Sequence, residues 1–335
     1  MSDALISPAV GGTLWAATAG LTAAAARGVE RSGDDSRIPL MGVLGSFVFA
    51  AQMVNFAIPG TGSSGHLAGG LLLAILLGPH AAFLVMASVL AVQALFFADG
   101  GLLALGCNAF NLGVLSSYVA YPLVWRPIAG PSPGRGRLVV ASVAAGIVGL
   151  ELGALGVVLE TTASGISSLP FASFAGAMLS IHLAIGLVEG LATAGVVLVL
   201  WRARPELAGG PGRANGSGLR TVVVAVAVAA AVIGGALSLV ASDRPDGLEW
   251  TVARIAGVES PAAPEGGLHA ALARLQGRTA VLPDYDLPRR DAAAGRKGGS
   301  AATSLSGLLG AAVVLALALA IGSGLRALRR RNGGS

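Results

Sequence analysis

Residues 138–159 read LVVASVAAGIVGLELGALGVVL, a run of small and aliphatic side chains with one charged residue, Glu151. A helix of about 20 apolar residues spans the roughly 30 Å hydrocarbon core of a bilayer. The run therefore predicts a membrane-spanning helix. Seven further segments qualify in the same way: residues 4–26, 40–58, 80–98, 102–125, 171–201, 219–241 and 305–323.

The composition of the whole chain agrees with a membrane protein. Of its 335 residues, 54% are hydrophobic, 12% are charged and 50 are glycine. Soluble domains carry about 25% charged residues, so this chain has too few charges to cover a soluble surface. The composition excludes an ordinary soluble enzyme, a disordered chain and a nucleic-acid binder. The single cysteine, Cys107, lies in an apolar run and cannot form an intrachain disulfide.

The basic residues predict how the chain is threaded through the membrane. Lys and Arg of short loops favour the cytoplasmic side. Segment 66–78 is apolar but short, so it either crosses the membrane or re-enters it. If it crosses, most of the 22 basic residues fall on one side, in loops 27–39, 126–137 and 202–218 and in the C-terminal tail. We therefore predict nine crossings, with the N-terminus outside and the C-terminus in the cytoplasm.

The chain divides into two predicted units. Residues 1–201 predict a compact bundle of seven spans with short loops, and residues 202–218 (RARPELAGGPGRANGSG) predict a cytoplasmic linker. Residues 219–335 predict two further spans around a polar outside segment, 242–304. The expected fold class is an all-α polytopic membrane protein of the cell membrane, with a seven-helix bundle and a two-helix C-terminal unit.

The stretch GTGSSGHLAGG (60–70) is the strongest candidate for a binding site. Glycines such as Gly65 let a backbone approach a ligand closely. Ser63 and Ser64 are expected to cap the helix that follows. His66 supplies an imidazole, the commonest metal ligand among side chains. From these residues alone, a ligand site and an ordinary flexible loop are about equally supported.

Other polar groups lie within or beside the predicted spans, where burial in a bilayer is costly. Spacing places Gln52 with Asn55, and Asn108 with Asn111, on shared helix faces, for which hydrogen bonds between helices are the simpler role. Asp99 and the two glycines after it predict a tight outer turn. The candidates around the Gly-rich loop and this turn are Gln52, Asn55, Gln93, Asp99, Asn108 and Asn111.

His182 and Glu189 are seven residues apart and share one face of a predicted helix. Glu151 lies in a neighbouring span and is able to pair with either. Such groups suit a proton or ion relay, and they also suit structural hydrogen bonds or buried ion pairs between helices, the role that we favour. A relay formed by these residues would indicate a second function, that of a proton- or ion-coupled secondary transporter.

Small residues at four-residue spacing, Ala16, Gly20 and Ala24, form a smooth face on the first span. Such a face allows another helix to pack closely, either from this chain or from a partner subunit. The chain has no G-x-x-x-x-G-K-[ST] sequence and no H-E-x-x-H sequence. We therefore expect that the chain has no ATPase site of its own and is not an enzyme.

Long stretches of the chain resemble a known family. Residues 2–12, 60–70, QALFFADGGLLALGCNAFNLG (93–113) and HLAIGLVEGLATA (182–194) are similar to the substrate-binding component of cobalt/nickel energy-coupling-factor transporters. PDGLEW (245–250), PDYDLP (283–288) and the last span resemble the small accessory subunit of these systems, which carries a PDGLE domain. Together the resemblances cover nearly the whole chain.

The resemblance implies a site and a set of partners. In the family, Ni(II) or Co(II) is transported as the substrate and is held by the N-terminal amine, a backbone nitrogen, a second-position His and a loop His that maps onto His66. No prosthetic group is implied, and binding should weaken in acid because the ligands bind deprotonated. The implied partners are lipid, a transmembrane coupling protein and two cytoplasmic ATPases. The face of Ala16, Gly20 and Ala24 is our candidate contact for the coupling protein.

The N-terminus departs from the family pattern, because Ser2 stands where a histidine is expected. Relatives place Met-His before the residue that corresponds to Met1. We therefore expect a native chain that begins two residues upstream, which N-terminal mass spectrometry tests; otherwise Met1 itself supplies the amine. The sequence leaves the choice between nickel and cobalt open, since both cations accept nitrogen ligands.

Overall fold

The computed structural model describes residues 1–203, 216–257, 264, 266–287 and 300–332. The central part of the expected linker, and residues 258–263 and 288–299 of the expected outside segment, lie outside the described residues. The described chain is almost entirely helical, which confirms the all-α membrane fold class. Six of its helices are long and apolar enough to cross a membrane: Pro8–Ser32, Pro79–Phe96, Arg135–Ser164, Phe171–Arg202, Gly218–Val240 and Ala302–Arg331.

The first unit is built from consecutive helices. Its elements are α1 (Pro8–Ser32), α2 (Arg37–Gln52), β1 (Phe56–Ala57), β2 (Ser64–Gly65), α3 (Gly70–Leu77), α4 (Pro79–Phe96), α5 (Leu105–Asn108), a π-helix (Ala109–Trp125), α6 (Arg126–Ala129), α7 (Arg135–Ser164) and α8 (Phe171–Ala203). The residues at both ends of the π-helix keep right-handed helical backbone angles. The helix therefore continues from Leu105 to Ala129, and we call this stretch the composite helix.

The second unit begins with α9 (Gly216–Gly235) and ends with α12 (Ser300–Asn332). Between them lie two short helices, α10 (Gly247–Ala256) and α11 (Gly267–Thr279), and a 3₁₀ turn at Pro283–Tyr285. Both long helices pack on α2. A side chain at Gly310 of α12 would collide with the Phe49 ring, and one at Gly234 of α9 would lie 3.5 Å from Ala50 Cβ. The second unit is thus packed directly against the first.

The apolar segment 66–78, which we counted as a crossing, is helical over only part of its length. α3 contains 8 residues, all buried, and at 1.5 Å per residue it is about 12 Å long, too short to span a bilayer. The predicted span 40–58 is likewise shorter, because α2 ends at Gln52. Residues 53–69 form a loop that holds the small β1–β2 hairpin, with Phe56 opposite Gly65.

The chain nevertheless returns to the end of the bundle at which α2 begins. Arg37 Nη1 donates to the Leu77 carbonyl oxygen at 2.8 Å, so the last residue of α3 lies beside the first turn of α2. At the same end, Asp35 forms ion pairs with Arg326 at 3.0 Å and Arg329 at 2.6 Å, both from α12. Loop 27–39 and the C-terminal helix end therefore share one end of the molecule, which we call the arginine end.

The helices α7 and α8 pack with their backbones close together. A side-chain carbon at Gly190 would lie 2.5 Å from Val143 Cα, and one at Gly146 would lie 2.7 Å from Gly190 Cα. Small residues permit this approach, as at many helix interfaces in membranes. This close contact fixes the central parts of α7 and α8 relative to each other.

Candidate metal-binding site

A cavity of about 130 Å³ lies at the end of the bundle opposite the arginine end. Five parts of the molecule meet there: the N-terminus, the Gly-rich loop, the composite helix, the α7–α8 pair and the start of α10. The polar residues that line it are Met1, His66, Asn108, Asn111, Ser116, His182 and Asp246. With Gly65, which also lines it, the structure brings six of the predicted site residues around one space: Met1, Gly65, His66, Asn108, Asn111 and His182.

The N-terminal segment is fixed with its amine at this cavity. The Met1 amine donates to Asn108 Oδ1 at 3.1 Å, and Asn108 Nδ2 donates to the Met1 carbonyl oxygen at 3.3 Å. Asp3 Oδ1 accepts from the Ala104 amide at 2.8 Å. His269 Nε2, from α11 in the second unit, lies 2.9 Å from the Ile6 carbonyl oxygen. Asn108 thus acts as the partner of the N-terminus and not only as an interhelical contact.

The loop that carries His66 is held by buried side chains. Glu189 accepts two backbone hydrogen bonds, from the Ala68 and Gly69 amides, both at 2.9 Å. Gln52 Nε2 donates to the Ala68 carbonyl oxygen at 2.8 Å, and Gln93 Nε2 donates to Gln52 Oε1 at 2.9 Å. Buried polar groups need such partners, and together they fix the backbone immediately after His66.

Several expectations for this loop are corrected. Ser63 and Ser64 do not cap a helix: the Ser64 hydroxyl donates to the Arg244 carbonyl oxygen at 2.7 Å, because these residues lie in the β hairpin beneath the second unit. Asn55 shares no helix face with Gln52, because α2 ends before it, and its carbonyl oxygen accepts from the Ser242 amide at 2.7 Å.

His182 lies at the cavity, with one ring nitrogen engaged. Its Nδ1 lies 2.8 Å from the Met178 carbonyl oxygen one turn earlier on α8. An Nδ1 that donates there leaves the lone pair on Nε2. His182 is therefore available as a second imidazole donor at the cavity wall. Among the described residues, no group of three His, Cys, Asp or Glu side chains is arranged to hold a metal.

The three residues proposed for a relay are not connected. Glu189 is committed to the loop amides, His182 bonds its own helix, and Glu151 Oε1 has no hydrogen-bond partner within the described part of the chain. No hydrogen bond among the described residues joins any two of them. The contacts favour the structural reading of Glu189.

The PDGLE motif of the second unit forms part of the cavity wall. The Pro245 carbonyl oxygen accepts from the Ser64 amide at 2.8 Å. Asp246 caps α10, accepting from the Leu248 and Glu249 amides in a capping box. Gly247 is needed because a side chain there would lie 3.0 Å from the His182 ring. The motif is thus a helix start built to fit against α8.

Trp250 and Tyr285 add contacts between the units. Trp250 Nε1 donates to the Thr61 carbonyl oxygen at 3.0 Å. The Tyr285 hydroxyl donates to Asp99 Oδ2 at 2.5 Å, while its ring stacks on Phe97 at 4.7 Å between centroids. Burial, and secondly the Asp99 carboxylate, raise the pKa of the Tyr285 phenol well above its usual value, so the hydroxyl remains a donor. Asp99, in its expected turn, anchors the second unit and does not line the cavity.

Two contributions to the site were not expected from the sequence. Glu160, which accepts from Asn111 Nδ2 at 2.8 Å, lies one residue beyond the predicted span 138–159. Asp246 lies in a segment that was expected only to be polar, although the Asp-x-x-Glu spacing of Asp246 and Glu249 is a sequence signature of a capped helix start.

The small-residue face of α1 is open. Ala16, Gly20 and Ala24 are all exposed, and no atom of another described residue lies within 4 Å of a side-chain carbon placed at Gly20. No described helix of this chain therefore covers the face.

Comparison with known proteins defines the class. Residues 1–207 match the family described as the cobalt uptake substrate-specific transmembrane region, and residues 220–327 match the PDGLE domain. The chain belongs to this family of cobalt- and nickel-transport proteins, as a multi-pass membrane protein with a fused PDGLE domain.

Individual relatives share the fused organisation. The chain is 33% identical to the fused nickel transport protein NikMN of Rhodobacter capsulatus, over 99% of each chain. It is 36% identical to the putative fused nickel transport protein NikMN of Archaeoglobus fulgidus, over 84% of this chain and 85% of the relative. A crystal structure of a truncated transition metal transporter is 29% identical, with a TM-score of 0.53, and the match covers 60% of this chain and 98% of that one.

Proposed function

We propose that this protein captures Ni(II) or Co(II) at the outer side of the membrane and passes it inward as the substrate-specific subunit of an energy-coupling-factor importer. The observation that carries the proposal is the meeting of the Met1 amine, His66 and His182 at one cavity. Nitrogen donors suit both cations. The relatives named as nickel transport proteins support the same substrate class.

The distribution of charge supports an orientation of the chain in the membrane, and the inward direction of transport follows from that orientation. Arg37, Arg326 and Arg329 lie together at the arginine end, and the positive-inside rule assigns such an end to the cytoplasm. The cavity lies at the opposite end, so it faces the outside in this orientation. The second unit covers it there, in a position to control loading of the cation.

The energy source in this proposal is ATP hydrolysis on separate subunits. The chain contains no phosphate-cradling loop of the G-x-x-x-x-G-K-[ST] type. The uncovered face of Ala16, Gly20 and Ala24 offers a smooth surface on which a helix of a transmembrane coupling protein would pack. The proposed partners of this protein are one coupling protein and two cytoplasmic ATPases.

Uptake of radioactive nickel or cobalt should depend on these partners. In cells that express this chain together with the coupling and ATPase subunits, we expect uptake to fall to background when the ATPases carry an inactivating P-loop substitution. A proton uncoupler, applied while cellular ATP is maintained, should leave uptake unchanged. Uptake that survives loss of the ATPases and collapses with the uncoupler would instead favour an ion-coupled secondary transporter.

The proposed orientation predicts the accessibility of new cysteines. In a Cys107→Ala background, a membrane-impermeant maleimide should label Leu268→Cys on intact cells and Ser32→Cys only after permeabilisation. Leu268 is exposed on α11 beside the cavity end, and Ser32 is exposed near the arginine end. Labelling of Ser32→Cys on intact cells, with Leu268→Cys protected, would reverse the orientation.

A further inference from the structure

Helix α11 of the second unit contacts the first unit through two residues on one face. His269 and Gln276 are seven residues apart, which places them two turns apart on the same side of the helix. His269 is 6% exposed, and Gln276 is partly buried. Both side chains bind main-chain oxygens of the first unit. Their contacts lead to residues 1–6, the N-terminal segment.

The amide of Gln276 binds the turn that follows α4. Its Nε2 donates to the Gly100 carbonyl oxygen at 2.7 Å and to the Ala94 carbonyl oxygen at 2.9 Å. Both partners are acceptors, so the amide nitrogen and not the amide oxygen faces them. A side chain of the second unit therefore holds the Gly100 carbonyl in one direction.

The same peptide group binds Met1 on its other side. The Gly101 amide, which follows the Gly100 carbonyl, donates to the Met1 carbonyl oxygen at 3.1 Å. This peptide is trans and planar, so its C=O and N–H point in opposite directions. Gly100 has a φ of +78°, and a peptide between two glycines meets little steric resistance to rotation. Gln276 therefore fixes the orientation in which the peptide binds Met1.

His269 holds the other end of the N-terminal segment. Its Nε2 lies 2.9 Å from the Ile6 carbonyl oxygen, and because a carbonyl oxygen only accepts, Nε2 carries a proton. Ile6 is fully buried in a cluster with Leu103. Helix α11 thus binds the segment near both ends, directly at Ile6 and through the Gly100–Gly101 peptide at Met1.

We propose that α11 positions the N-terminal segment for cation binding, with Gln276 and His269 as the positioning residues. Met1 lines the metal cavity, where its amine and its carbonyl oxygen also bond to Asn108. Donors that are already ordered bind a ligand without the cost of ordering them. This inference rests on the proposed function, and it gives the second unit a part in building the binding site.

A spin label reports the order of the N-terminal segment without any metal. Ser2 is exposed and lines a space of about 390 Å³ between this segment and α10 and α11, so a nitroxide on Ser2→Cys has room there. Cys107 is fully buried, and the chain without the new cysteine shows the background labelling. In the purified, metal-free full chain, Gln276→Met should increase nitroxide mobility, because methionine has a similar length and no donor. His269→Leu should do the same, whereas His269→Gln, which keeps a donor, should stay close to wild type.

Cation binding gives the second readout, measured without the label. Groups that orient metal ligands contribute about 10- to 100-fold to affinity. Gln276→Met and His269→Leu should therefore weaken Ni(II) and Co(II) binding about 10-fold or more. They should also change the visible bands of bound Co(II), because its set of donors changes. His269→Gln should keep both the affinity and the bands close to wild type.

The matched control is Tyr285→Phe. The Tyr285 hydroxyl also joins the second unit to the turn after α4, but it bonds the Asp99 side chain and not the Gly100–Gly101 peptide. Its removal should change neither readout. Unchanged mobility or unchanged affinity in Gln276→Met, or an equal effect in Tyr285→Phe, would overturn the inference. His66→Ala separates the two levels: if it also binds the cations normally, the proposed function itself fails.

Discussion

Replacing His66 by alanine should abolish nickel and cobalt uptake without removing the protein from the membrane. His66 is the imidazole that the Gly-rich loop contributes to the cavity, which the Met1 residue also lines. Groups that only orient metal ligands contribute about 10- to 100-fold to affinity, so loss of a ligand should exceed about 100-fold. The measurement is radioactive cation uptake in cells, beside equilibrium binding to the purified protein.

The chain offers a matched histidine for the control. His80 lies in the same unit at the start of α4, where its Nδ1 is 2.9 Å from the Tyr118 hydroxyl, and it does not line the metal cavity. His80→Ala should keep uptake and binding close to wild type. Immunoblots of membranes report the amount of each variant. Uptake by His66→Ala at the wild-type rate, at equal protein level, would refute the site.

Replacing Glu189 by alanine should also weaken cation binding, although the carboxylate does not line the cavity. It would leave the Ala68 and Gly69 amides, both buried, without their partner. A hydrogen bond to a charged group contributes about 1.5–3 kcal/mol, so two such bonds are a large share of the stability of a loop. With the loop released, His66 loses its fixed direction, and we expect affinity to fall at least about 10-fold.

Glu151 supplies the matched control for this experiment. It is an acidic residue on the adjacent helix α7, and its Oε1 has no partner among the described residues. Glu151→Ala should bind the cation normally. Glu189→Gln should be intermediate, because one amide oxygen replaces two acceptors. The opposite pattern, with normal binding in Glu189→Ala and lost transport in Glu151→Ala, would support a relay and contradict an anchoring role.

The parts of the fold that follow from hydropathy and charge could be predicted from the sequence. Long apolar runs define the spans. The placement of the arginines predicts that loop 27–39 and the C-terminal helix lie at the same end of the molecule, and the ion pairs of Asp35 with Arg326 and Arg329 agree. The loop around His66 was recognisable because many glycines surround a histidine at a span boundary.

The rest depends on contacts between distant parts of the chain. Segment 66–78 is apolar enough for a helix, but its first residues, 66–69, are not helical, and Glu189 and Gln52 satisfy backbone groups of this part from other helices. No local pattern encodes such a partner 120 residues away. For the same reason, hydropathy did not reveal that Ser64 meets Pro245, or that Glu160 orients Asn111.

Several hydrogen bonds between the two units are accepted by main-chain carbonyl oxygens. Pro245, Asn55, Thr61 and Phe96 contribute carbonyl oxygens, which receive hydrogen bonds from Ser64, Ser242, Trp250 and Val281 across the joint. Every residue type carries a carbonyl oxygen, so an acceptor of this kind survives substitution of the residue that provides it. The two halves can therefore diverge in sequence at many of these positions and still recognise each other. Evolution is free to keep them in one polypeptide or to separate them into two.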